Sequence, residues 1–165
     1  MANLLEKELY LDFIEIFKTI KTANQYAPGK NYETNFGDLL VDWSLFPVDD
    51  GESEYVTLED PEINYAEQEE ESADHKVSYT YVLKGFIAKG DNTVEQIRAF
   101  SRDVRRCIGA NLATLKAKFN SPPIVIKPVI LVKGFQKGER TRGGLVFRFT
   151  AEWSQEKWLI DEPEY

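Results

Sequence analysis

The chain has 165 residues, 42% of them hydrophobic and 13% aromatic, enough for one domain with its own core. No apolar run approaches the ~20 residues of a bilayer-crossing helix. The opening MANLLEKELYLDF carries acids where a secretory leader carries bases, and the lone Cys107 excludes an internal disulfide, so neither membrane spanning nor secretion is expected.

In chain order, NLLEKELYLDFIEIFKTIK places Asn3 three residues before Glu6 as a capping box. Leu5, Leu9, Phe13, Ile16, Phe17 and Ile20 then recur on one helical face. APGKNYETN breaks this helix. In GDLLVDWSLFPV, residues Leu39, Val41, Trp43 and Leu45 alternate with Asp42 and Ser44, the pattern of a strand. Residues 49–74 hold twelve carboxylates and no Lys or Arg, with a strand expected around Ile63 and Tyr65. HKVSYTYVLKGFIAKG sets Val77, Tyr79, Tyr81 and Leu83 against Ser78, Thr80 and Lys84, a strand with a bulge expected at Gly85.

DNTVEQIRAFSRDVRRCIGANLATLKAKF opens with Thr93 and Gln96 as a second capping box. Its buried stripe is Ile97, Phe100, Val104, Ile108, Leu112, Leu115 and Phe119, and Arg98, Arg102, Arg105 and Arg106 fall outside it. SPP stops this helix. IVIKPVILVKGF is apolar on both faces and reads as a central or doubly covered strand, with Pro128 at a bulge or an edge. QKGERTRGG has turn chemistry. LVFRFTAEW alternates Leu145, Phe147, Phe149, Ala151 and Trp153 with Arg148, Thr150 and Glu152, so the last two strands form an antiparallel hairpin. One apolar sheet face and two amphipathic helices to cover it make an α+β domain. Its expected form is two layers over residues 1–154, with a mainly antiparallel sheet of four to five strands, followed by an acidic tail, 155–165.

Charge is unevenly spread along this layout. The total is −8, yet residues 49–75 carry −12 and residues 84–148 carry +10. If the fold keeps these blocks apart, each copy presents an acidic and a basic patch suited to head-to-tail association. The alternative is a plain solvated surface that keeps the protein soluble.

Motifs of chemistry are few. The sequence contains no phosphate loop, GxGxxG, HExxH, GxSxG or CxxC. Cys107 reads as a small, semi-buried side chain, His75 as a loop or strand-edge residue, and DDGE at 49–52 as a solvated turn. Arg140 and Arg142 sit on a glycine-flanked tip fit for a phosphate or a protein contact. Glu62, Asp74 and Lys76 resemble the signature of PD-(D/E)xK nucleases, in which two carboxylates hold a divalent metal and a lysine assists the attacking water.

The layout as a whole resembles the tail terminator proteins of long-tailed bacteriophages. The resemblance rests on the helix LLEKELYLDFIEIFKTI, the segment PEINYAEQ, the strand KVSYTYVLKGFI, the helix TVEQIRAFSRDVRRCIGANLATL and the hairpin ending in GGLVFRFTAEW. It implies no reaction, no cofactor and no metal. It implies a virion protein, made in the host cytoplasm, that closes as a hexameric ring on the head-proximal end of the tail tube. Its partners would be the tube protein, the head connector and, in a contractile tail, the sheath, with DNA passing through unbound. Another neck or baseplate adaptor shares this pattern. In such a ring unlike patches meet. Glu67, Glu69 and Glu71, spaced by two, would face Arg102, Arg105 and Arg106 of a neighbour, with Arg140 and Arg142 as further interface residues. The carboxylates could equally line the channel.

Overall fold

The computed structural model describes residues 5–41, 54–65, 74–89, 93–118, 125–127, 135–136 and 142–156. Helix α1 is Leu5–Lys18, followed by a short ribbon of β1, Gln25–Ala27, and β2, Lys30–Asn31. A 3₁₀ turn, Phe36–Leu39, leads into β3, Leu40–Val41. Two long strands, β4 (Tyr55–Tyr65) and β5 (Asp74–Lys89), precede helix α2, Thr93–Lys118. Strands β6, Val125–Lys127, and β7, Phe135–Gln136, precede the long β8, Arg142–Glu156.

The main sheet has the order β3-β4-β5-β8-β6, and β7 also pairs with β8. Since β5 occupies one edge of β8, β6 and β7 share the other, and the sheet is five positions wide. All its pairings are antiparallel except the short parallel β3–β4 contact. This is the expected α+β fold. The rows across the sheet follow from register: Leu58 opposes Leu83, which opposes Phe147, while Tyr81 opposes Phe149 and Tyr79 opposes Ala151. All seven side chains are buried.

Both helices cover that one face. Alternate strand residues point the same way, so the apolar rows form a floor, and the stripes of α1 and α2 close over it. From α1, Phe13 reaches 4.6 Å from Phe149 and 5.0 Å from Tyr81 between ring centroids, and Phe17 lies 5.7 Å from Phe149. Tyr81 and Phe149 stack at 5.2 Å. From α2, Ile97, Phe100, Val104, Cys107, Ile108 and Leu115 join the same core. The hydroxyl of Tyr10 donates to the Leu58 carbonyl at 2.8 Å and fastens α1 to β4.

Several sequence expectations change. The strand expected around Ile63 and Tyr65 is present but starts earlier: β4 begins at Tyr55, and the side chains of Tyr55, Val56, Thr57 and Leu58 are all buried. The expected strand over Leu39–Leu45 is a 3₁₀ turn and then two strand residues, and Trp43 and Leu45 lie outside the described residues. No bulge occurs at Gly85, which pairs in register with Val56 and Leu145; the irregularities fall between Glu59 and Glu62 and between Ile87 and Lys89. Gly85 is there because strands β4 and β5 approach so closely that a Cβ would strike the Tyr55 carbonyl oxygen. The segment read as a central or doubly covered strand contributes β6, which is last in the sheet order, and Pro128 lies outside the described residues. β8 runs on to Glu156, two residues into the expected tail.

Candidate functional site

α2 carries its arginines on the side turned from the core. At 3.6 residues per turn, Arg98, Arg102, Arg105 and Gly109 fall within an arc of about 60°, and Arg106 lies on one flank. Arg98 and Arg105 are exposed. Arg102 and Arg106 are gripped by the segment that follows the β1–β2 ribbon. Arg102 donates through Nε (3.2 Å) and Nη2 (2.8 Å) to one Glu33 carboxylate oxygen, and through Nη2 to Glu95 at 2.9 Å. Arg106 donates to the other Glu33 oxygen at 2.8 Å and lies 5.0 Å from the centre of the Tyr26 ring. Hydrogen bonds from Arg102, then Arg106, hold the Glu33 carboxyl below the usual carboxylate range.

Beneath this clasp sits Asp103, fully buried. Its carboxylate accepts the Glu33 amide (2.9 Å), the Thr34 amide (2.8 Å), the Thr34 hydroxyl (2.8 Å) and Arg106 Nη1 (3.1 Å). A buried carboxylate is tolerated only when its lone pairs are so filled. The ribbon is thereby set rigidly against α2. Within it, Pro28 and Gly29 make the turn, Gly29 at φ +73°, a conformation that favours glycine.

A polar, uncharged cleft of about 480 Å³ opens between the ribbon, the segment that follows α1, and α2, lined chiefly by Asn24, Gln25, Tyr26, Tyr32 and Asn111. Cys107 is buried beside it. Its Sγ donates to the Ile16 carbonyl at 3.1 Å, and burial pushes the thiol up to about 11. Burial also raises Tyr32 far above the ordinary phenol value. A thiol so held is a packed side chain and a poor nucleophile.

Of the residues expected at an interface, Arg102, Arg105 and Arg106 share α2, but only Arg105 lacks a partner among the described residues. Arg142 is the first residue of β8, opposite Lys89. Glu67, Glu69, Glu71 and Arg140 lie outside the described residues. Glu33, Asp103 and Tyr26 were missed in the sequence. Asp103, an acid bordering an apolar stripe three residues before Arg106, was the one legible signal. Glu33 stands 70 positions from Asp103, and nothing local announces it.

The nuclease-like residues are pulled apart by register. Glu62 pairs with Thr80, whereas Asp74 pairs with Glu156 at the far end of β5. Six residues of strand separate their positions, about 20 Å, too far for two carboxylates to share one metal ion.

The same register distributes charge along the sheet. At one end, Asp74 opposes Glu156, and the chain joining β4 to β5 carries Glu67, Glu69, Glu70 and Glu71. At the other, Lys89 opposes Arg142 and the chain joining β7 to β8 carries Lys137, Glu139 and Arg140, while the chain that enters β4 at Tyr55, opposite Phe86, carries Asp42, Asp49, Asp50, Glu52 and Glu54. Sixteen strand residues set these ends about 50 Å apart. No protein-family model matches the chain, and no curated protein matches it.

Proposed function

We propose that the chain is a structural ring subunit of the phage tail-terminator kind. It closes as a hexamer on the head-proximal end of the tail tube, ends tube growth and offers a docking face to the head connector. The observation that carries this reading is the segregation of charge along the chain, −12 over residues 49–75 and +10 over residues 84–148. Complementary blocks of charge within one chain favour contacts between unlike patches, the kind from which closed rings are built. The element order supports it further, with α1, two long strands, α2 and a closing hairpin in the sequence the resemblance calls for.

The test is to add the purified protein to growing tail tubes and image them by electron microscopy. Sixfold rings at one tube end and shortened tubes are expected. A stable two-fold dimer that leaves tube length unchanged overturns the reading, as does magnesium-dependent nicking of plasmid DNA that Asp74→Ala removes.

A further inference from the structure

We infer that the Arg98–Arg102–Arg105 ridge of α2 is a docking surface for an extended acidic segment with carboxylates on alternate residues, supplied by a second copy of this chain. The inference rests on the ring reading above and names its contact.

Geometry selects these three arginines over the set expected from sequence. Arg106 is turned down onto Tyr26, with Glu33 and Asp103 filling its Nη1. Arg98, by contrast, keeps 67% of its side chain exposed, and its one ion pair among the described residues is with Glu95, at 3.8 Å. Arg105 is exposed and has no partner among the described residues. Arg102 stands between them, fixed by Glu33 and Glu95, with Nη1 left over from the hydrogen bonds that hold it. Such fixing lowers the ordering cost of a contact. Gly109, next along the stripe, is exposed, and a Cβ there would meet nothing within 4 Å, so the ridge ends in open ground.

Spacing matches the proposed occupant. On a helix, positions 98, 102 and 105 stand about 6 and 4.5 Å apart along the axis. In an extended chain, alternate residues repeat every ~6.6 Å and share one side. The sequence carries that pattern at Glu67, Glu69 and Glu71. A subunit cannot reach its own ridge with them. α2 starts four residues after Lys89, at the Lys89–Arg142 end of the sheet, and the chain joining β4 to β5 leaves from the Asp74–Glu156 end. Strand and helix rises put the two roughly 30 Å apart. The contact therefore falls between copies.

The experiment uses the full-length chain carrying Glu67→Lys, Glu69→Lys and Glu71→Lys, whose own segment no longer competes. Its probe is a fluorescein-labelled peptide, AEQEEESAD, residues 66–74. Saturable binding by fluorescence anisotropy is expected, weakened at least tenfold when Arg98→Glu and Arg105→Glu are added. Those two substitutions leave Glu33 on Arg102 and Arg106, and an unchanged thermal melt checks that the fold is intact. Equal binding to both variants, no binding, or preference for a duplex DNA oligonucleotide over the peptide overturns the inference. Peptide binding without rings would sink the hexamer reading and leave the ridge an acidic-peptide site. Rings without peptide binding would sink the ridge.

Discussion

Replacing Asp103 with Ala removes the acceptor for four donor groups at once: two amides, the Thr34 hydroxyl and Arg106. The amides of Glu33 and Thr34 would then lose their partner, and the ribbon would lose its anchor on α2. A loss of about 3 kcal/mol is expected, read as a lower urea midpoint at constant slope. A change below about 1 kcal/mol would show that water replaces the carboxylate freely. Cys107 gives a pH-dependent prediction. Its thiol is raised from 9.0 to about 11, chiefly by burial, so its folded form favours the proton. That contribution is complete below pH 9 and fades as pH rises toward 11, and Tyr32 acts in the same direction. The melting temperature should fall over that window, less steeply in Cys107→Ala, and a thiol reagent at pH 8 should label native protein far more slowly than protein in urea. Glu33 has the opposite sign. Its carboxyl is lowered from 4.5 by Arg102 and Arg106, so the clasp is complete above that pH and weakens as acid is added. The group is well exposed, which keeps this effect small.

At the scale of elements, the β4–β5 pair shows how backbone proximity overrides local appearance. Gly85 suggested a bulge, because glycine inside a strand commonly marks one. It marks a close approach instead. Gly85→Ala would press a methyl group against the Tyr55 carbonyl and to within 2.8 Å of Val56 Cα. Backbone on the facing strand cannot rotate away as a flexible side chain can. We expect the substitution to destabilise the protein by about 1–3 kcal/mol, measured by chemical denaturation, and to leave α1 and α2 intact by circular dichroism at low denaturant. A neutral result would place the strain elsewhere. Only the second half of β4 was legible, for a related reason. Glu59, Asp60 and Glu62 interrupt its apolar pattern, while Tyr55 packs on Phe86 and Thr57 donates to the Lys84 carbonyl, both on β5, contacts that local charge does not report. The helices were plain in the sequence because their apolar stripes recur every three or four residues over four or more turns.

Across the whole molecule, one aromatic hub joins the layers: Phe13 and Phe17 of α1 meet Tyr81 of β5 and Phe149 of β8. Association between acidic and basic patches should weaken with salt, since the Debye length falls from roughly 10 Å at 0.1 M to 3 Å at 1 M. Static light scattering across that range should show the mean mass falling. A mass that holds or rises with salt would mean that apolar surface, not charge, joins the copies.

The sequence by itself determined the two helices, the long strands β5 and β8, and the α+β class, because each rests on periodicity within one segment. It also determined that acids and bases are segregated along the chain. Only the tertiary structure decided where those charges stand: register sends the segment after Tyr65 to one end of the sheet and Arg142 to the other. It likewise decided that Glu62 and Asp74 are apart, that Arg106 is taken up by Glu33, Asp103 and Tyr26, and that Glu33 and Asp103 belong to one cluster. Each of these depends on residues distant in the chain coming together, and side-chain periodicity carries no information about which distant partner a segment will meet.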